Sequence, residues 1–131
     1  MVKTMSIEEK KKIAEDIIAE MKRRINLNKE ITEDWGKTVQ QVFTDIETGY
    51  LIKFAQDGTV GEIEKKPASE IIQKPAAELK AGDAVATIYC TVQTLKDCFD
   101  GKLNAMDAMA KNLFKIEGSM DALIKLSPVL M

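Results

Sequence analysis

Residues 100–120 read DGKLNAMDAMAKNLFKIEGSM, and the reading of this stretch decides the fold. Gly101 stops one helix, and Asn104 has the side chain to cap the next. AMDAMAKN is then a short helix with Met106, Met109 and Ala110 turned inward. LFKIE reads as a strand. Gly118 turns the chain, Ser119 caps, and MDALIKL is a last helix that Pro128 ends or frays. Met106, Met109, Met120 and Met131 are four of the seven methionines, and no neighbour of theirs is suited to catalysis. Methionine is unbranched and polarisable, and it lines surfaces that adapt to varied shapes as well as ordinary cores.

Upstream, AVATIYCTV alternates as a strand, and QTLKDCFDG switches to helical spacing with Leu95, Cys98 and Phe99 on one face. At the other end of the chain, Ser6 and Glu9 have capping-box spacing. Ile13, Ala14, Ile17, Ile18, Met21 and Ile25 follow as one apolar stripe, closed by NLNKE. A helical turn from Thr32 to about Gly36 comes next, with Trp35 packing it onto the rest. KTVQQVFTDI and YLIKF read as strands: Val39 and Phe43 share one face, while Val42, Thr44 and Ile46 tend to the other. Tyr50, Ile52 and Phe54 share a face of the second strand. QDG is a hairpin turn, and TVGEIE is the third strand. KKPASEIIQKPAAELKAGD contains an echo, Lys66–Ile71 against Lys74–Leu79. Each copy reads either as a short helix begun by proline or as an irregular loop. The order is helix, three strands, a crossover, strand, helices, strand, helix. This predicts an α+β domain with helices on one face of a five-stranded, mostly antiparallel sheet.

The 131 residues suit one domain, with residues 1–28 as an N-terminal helix and 29–131 as sheet and C-terminal helices. Hydrophobic residues are 45%, enough for a core; charged residues are 31% of mixed sign, with a formal net charge of -2. The basic clusters EKKK and MKRR are interleaved with acids on a helix, so a solvated face is expected and no nucleic-acid partner. The N-terminus lacks a secretory apolar region, and no run reaches the ~20 residues of a membrane span, so a cytoplasmic location is expected. Cys90 and Cys98 fit no zinc or redox spacing and read as small buried hydrophobes. The chain has no histidine, which removes Ser-His and Cys-His catalysis and the commonest metal ligand. GTVG and DGK lack the pattern of a phosphate-cradling loop. The expectation is a protein that is not an enzyme and uses no cofactor or metal.

DGKLNAMDAMAKNLFKIEGSMDALIKL resembles the carboxy-terminal signature of the sterol carrier protein 2 (SCP2) sterol-binding, lipid-transfer domain family. Gly101, Lys102, Leu103 and Asn104 match its opening, Ala108 and Met109 its middle, and Lys115, Ile116, Gly118 and Met120 its close. Trp35 and the hairpin IETGYLIKFAQDG are similar more loosely. Two positions depart: Ala105 stands where the family has proline, and Asn112 where it has glycine. Asn tolerates the left-handed backbone almost as glycine does. The Lys66–Ala81 link is longer than the family's, and reads as a changed lid or as a loop insertion.

The resemblance implies an apolar tunnel between sheet and helices that takes an acyl chain. By family position its wall comprises Leu95, Phe99, Leu103, Met106, Met109, Met120, Leu123 and Ile124, with Phe43, Ile52, Phe54 and Ile88 from the sheet. A sixteen-carbon chain buried there gains on the order of 10 kcal/mol, against an association cost of roughly 4–15 kcal/mol. Affinity would be moderate, as a carrier requires. The implied function is non-catalytic carriage of fatty acid, fatty acyl-CoA or phospholipid before sterol, with transient contact to a membrane or lipid enzyme. The alternative is an accessory module with the same fold, a closed cavity and protein contacts, as monomer or homodimer.

Overall fold

In the computed structural model, which describes residues 5–130, the capping box forms as the spacing predicts: Ser6 Oγ accepts from the Glu9 N–H at 3.2 Å. Residues 1–4 and Met131 lie outside the described residues. The first helix, α1, spans Ile7–Leu27 and buries Ala14, Ile17, Ile18, Met21 and Ile25. A 3-10 turn follows at Lys29–Ile31, and a further hydrogen-bonded turn sits where expected, with the Trp35 N–H donating to Thr32 O at 3.2 Å. Trp35 packs edge-on against Phe54, with ring centroids 5.1 Å apart.

Strands β1 (Thr38–Phe43) and β2 (Thr48–Lys53) form an antiparallel pair. The turn between them occupies residues 44–47, so Thr44 and Ile46 leave the strand assigned to them. The third strand is displaced. TVGEIE contributes a bridge between Val60 and Phe54 and only its last residue to β3, which is Glu64–Pro67. The cause is a competing partner: Asn26 of α1 accepts from the Val60 N–H at 2.8 Å and donates to its carbonyl at 3.1 Å. Gly58, at φ +88, lies against the Lys29 backbone, and Thr32 Oγ1 donates to its carbonyl at 2.6 Å. The QDG turn itself closes as predicted, with the Gly58 N–H donating to Ala55 O at 3.0 Å and the Ala55 N–H to Thr59 O at 2.9 Å, and the turn is tied to the end of α1.

Strand β4 (Ala84–Cys90) runs parallel to β1, and β5 (Lys115–Gly118) antiparallel to β4. The sheet order is β3-β2-β1-β4-β5, mixed but mostly antiparallel. Since β3 is at one edge and β4 beyond β1, the link between them must cross about 14 Å of sheet. Residues 68–83 do so as a strap on the face opposite the helices. Its two prolines behave alike: Pro67 and Pro75 each precede a 3-10 turn, Ala68–Glu70 and Ala76–Glu78. Ile71 of the strap is buried over Gly49, where a Cβ would sit 2.5 Å from Ile71 Cγ1. Beneath the strap Gln40 Nε2 donates to Thr87 Oγ1, and Thr87 Oγ1 to Gln73 Oε1, each at 2.8 Å. The Lys66–Ala81 segment thus supplies part of a strand and covers the second face of the sheet; it is not a lid over the helical side.

The helical face carries α1 with α2 (Val92–Phe99), α3 (Ala105–Ala110) and α4 (Met120–Leu130). Thr91 and Asn104 cap α2 and α3 through their side chains, to Thr94 N–H and Met106 N–H. Helix α3 buries Ala105 and Ala108, whereas Met106 and Ala110 are exposed and Met109 half-buried. The small alanines allow the close approach, Met106 is turned away from it, and Met109 packs at its edge. Asn112 adopts φ +60, the left-handed turn that glycine would otherwise supply. Pro128 does not end α4, which continues through it to Leu130.

Candidate functional site

Two spaces share no lining residue but approach each other through the contact of Trp35 with Phe54. The first is the seam between sheet and helices. Met21 and Ile25 of α1, Val39 of β1, Ile52 of β2, Ile88 of β4, and Leu126 and Val129 of α4 line it, with Phe54. Its volume is about 10 Å³, at the lower limit of the space that one ordered water needs. Gln40 and Gln41 are its polar members; Gln41, 2% exposed, donates to Cys90 Sγ at 3.3 Å. Burial pushes the Cys90 thiol up to about 12 and Cys98 up to about 11, so neither is an anion near neutrality.

The second space is an open groove of about 690 Å³ where β1 and β4 begin. Trp35, Ala76, Leu79, Val85 and Ala122 give it apolar walls; Lys37, Lys74, Ser119 and Asp121 are its polar members. Lys74 is already paired with Asp83 at 3.2 Å. Asp83 also accepts from the Lys80 N–H at 2.9 Å, and these two contacts hold its carboxyl below the usual range. Among the described residues, neither Lys37 nor Asp121 belongs to an ion pair.

Groove and seam are joined by structure. Ala122 faces the groove, while Leu126 and Val129 face the seam, and their four- and three-residue spacing makes one stripe of α4. Trp35 in the groove touches Phe54 in the seam.

The residues picked out in sequence fall into distinct places. Ile52, Phe54 and Ile88 line the seam. Phe43, Leu95 and Leu123 are fully buried in the surrounding core. Phe99 is buried and carries the Arg24 guanidinium over its ring at 4.5 Å. Leu103 and Met109 are half-buried against the core. Met106, Met120 and Ile124 are 45%, 40% and 57% exposed and border neither space. Sequence reasoning did not single out Val39, Met21, Ile25, Leu126 and Val129 for the seam, though the stripe of α1 and the alternation of β1 marked three of them as inward. Lys37, Lys74 and Asp121 carried no signal.

Among the described residues no cluster of three or more His, Cys, Asp and Glu side chains could hold a metal, and no helix is long and apolar enough to cross a membrane.

No curated protein sequence matches the chain. Solved structures do. Sterol Carrier Protein 2 Like 2 from Aedes aegypti superposes with a TM-score of 0.61 at 13% identity, covering 91% of this chain and 97% of that one. The crystal structure of sterol carrier protein 2 gives 0.57 at 12%, covering 87% of each chain. The sec-alkylsulfatase Pisa1 from Pseudomonas sp. gives 0.57 at 16%, but the chain spans only 14% of that enzyme's length. At these identities the likeness is one of fold, and the five-stranded sheet with its helices is shared. The SCP-2 sterol transfer family matches residues 18–131, from the middle of α1 through the seam and groove to the end of α4, and the chain belongs to that family.

Proposed function

We propose that the chain binds and carries acyl lipids without catalysing their conversion, taking the hydrocarbon into the seam between sheet and helices. One observation carries this reading: a single stripe of α4, Ala122 to Val129, runs from an open apolar groove into a closed apolar seam. The resting seam, at about 10 Å³, is far below the roughly 300–1,000 Å³ of a ligand pocket. The loaded protein must therefore part α4 and α1 from the sheet. Parting the walls exposes apolar side chains, and an inserted hydrocarbon covers them again. Opening without a lipid is thus disfavoured, and opening around one is not. Family membership supports a lipid ligand over other apolar molecules.

A second reading has its own observation. Met106, Leu113, Met120 and Ile124 are exposed around α3, β5 and α4 while the seam is closed. A module working through protein contacts would have this distribution.

Native mass spectrometry of the protein as purified, followed by organic extraction, separates the two. The carrier reading expects a stoichiometric added mass that extracts as an acyl lipid, or uptake of added oleate by protein purified bare. A bare monomer that refuses oleate overturns it. A bare dimer that refuses oleate favours the protein-contact module.

A further inference from the structure

We infer that the open edge of β5 is a docking surface for a second copy of the chain, the two β5 strands pairing antiparallel about Ile116 so that Lys115 of each copy faces Glu117 of the other. The inference stands whether or not the chain carries a lipid.

The sheet has two edges, β3 and β5, each four residues long. The backbone groups that each edge offers follow from register, because an antiparallel ladder turns alternate residues toward the neighbouring strand. In β5 the pairing runs from Tyr89–Lys115 to Ala86–Gly118, and in the next place the Ser119 N–H donates to Val85 O at 2.9 Å. Lys115, Glu117 and Ser119 therefore bond to β4, and Ile116 between them turns its N–H and C=O outward. In β3 the Ala68 N–H donates to Glu47 O at 2.9 Å, just beyond the Thr48–Pro67 pair. Lys66 and Glu64 therefore bond to β2, and Lys65 and Pro67 face outward. Proline has no N–H to give, and Lys65 is held by Glu15 of α1 at 2.6 Å. The β3 edge is closed by its own sequence, and the β5 edge is not.

Symmetry then selects the occupant. In a two-fold dimer a surface meets itself, residue i against j and j against i. About Ile116 the register sets Ile116 opposite Ile116, exchanging their outward N–H and C=O groups, and sets Lys115 opposite Glu117 twice. Lys115 and Glu117 lie on one face of the sheet, that of their pair partners Tyr89 and Thr87, where Thr87 meets the strap. Lys115 is exposed and Glu117 half-buried, and neither belongs to an ion pair among the described residues. Opposite charges directly across two strands stabilise their pairing, and like charges oppose it. The same operation on β3 about Lys65 would set Lys65 against itself. Exposed apolar side chains flank β5 as well: Leu113 just before it and Met120 just after. The register carries Leu113 to Ser119 of the second copy, next in sequence to that copy's Met120. A second copy brings this order of charged and apolar residues by symmetry, whereas an unrelated strand would have to match it separately.

Sedimentation velocity of the full chain, from low to several hundred micromolar, tests the inference. Wild type is expected to pass from monomer to dimer across this range. Glu117→Lys and Lys115→Glu each turn both facing pairs into like charges, and each should raise the dimer dissociation constant about tenfold. The double exchange, Lys115→Glu with Glu117→Lys, makes the pairs opposite again and should restore the dimer. Ile116→Pro removes the central outward N–H and should give a monomer. Circular dichroism checks the fold of each variant, and the charge exchanges, which leave the core untouched, decide the matter should Ile116→Pro unfold. A wild type that stays monomeric at the highest concentration overturns the inference. A dimer that keeps its affinity in folded Glu117→Lys, or that the double exchange fails to restore, is held by another surface and overturns it too.

Discussion

The two faces of the sheet are built in opposite ways. The helical face is closed by long apolar side chains from three helices, and leaves a seam of about 10 Å³. The other face is crossed by an extended strap, held by one buried isoleucine and the Gln40–Thr87–Gln73 relay of hydrogen bonds. Dispersion and hydrophobic contacts are numerous and non-directional, so an apolar face can re-pack around inserted hydrocarbon. A hydrogen-bonded relay has fixed geometry, and displacing it strands buried polar atoms. The contrast assigns movement to the helical side and rigidity to the strap side.

Three measurements bear on that contrast. The largest effect is expected from Ile52→Ala, which removes a fully buried wall of the seam. It should cost about 2–5 kcal/mol in urea unfolding. The space it leaves should also increase acyl-lipid uptake, because an apolar cavity takes apolar ligands. Next is Thr87→Val, which keeps the shape and removes the hydroxyl shared by Gln40 and Gln73. A loss of about 1–3 kcal/mol is expected, with acyl-lipid affinity unchanged. Should Thr87→Val alter lipid binding as much as Ile52→Ala does, the division between faces is wrong.

The smallest effect concerns how α1 is held. Glu15 accepts from Lys65 Nζ at 2.6 Å and from Tyr50 Oη at 2.9 Å. Mainly through the Lys65 hydrogen bond, its carboxyl lies below the ordinary 4.5, although partial burial opposes the shift. A depressed acid stabilises the fold above its ordinary value, and that contribution is lost as pH falls through the folded value. Glu15→Gln should therefore lower the thermal midpoint slightly at pH 7, and the gap to wild type should close as the pH is taken below 4.5. A gap that persists in acid would mean that packing of the side chain, not its charge, holds this contact.

Local chemistry was legible wherever partners lie close in sequence. Ser6 and Glu9, and Asn104 and Met106, formed what their spacing implies, and the twin Lys-Pro-Ala segments, open between short helix and loop, each took a 3-10 turn. Asn112 took the left-handed turn of the glycine it replaces. The failures have a common cause in distance. TVGEIE alternates like a strand, but its backbone is claimed by Asn26, more than thirty residues earlier. Helix α3 is too short, at six residues, for spacing alone to choose between its methionine and alanine faces. The groove gathers residues from near Trp35, from the strap, from β4 and from the start of α4. No spacing rule connects segments that only the crossover brings together.

Pro128 has one further consequence. A proline in a helix has no N–H to give to the carbonyl four residues back, here Ile124. The missing rung lies in the part of α4 that carries Leu126 and Val129, the wall that moves on the proposed carrier reading. An absent hydrogen bond is indifferent to salt, acidity and ligand. On the carrier reading, the freedom of this end of the helix to bend is written into the covalent chain, and what bends it is whatever arrives at the groove.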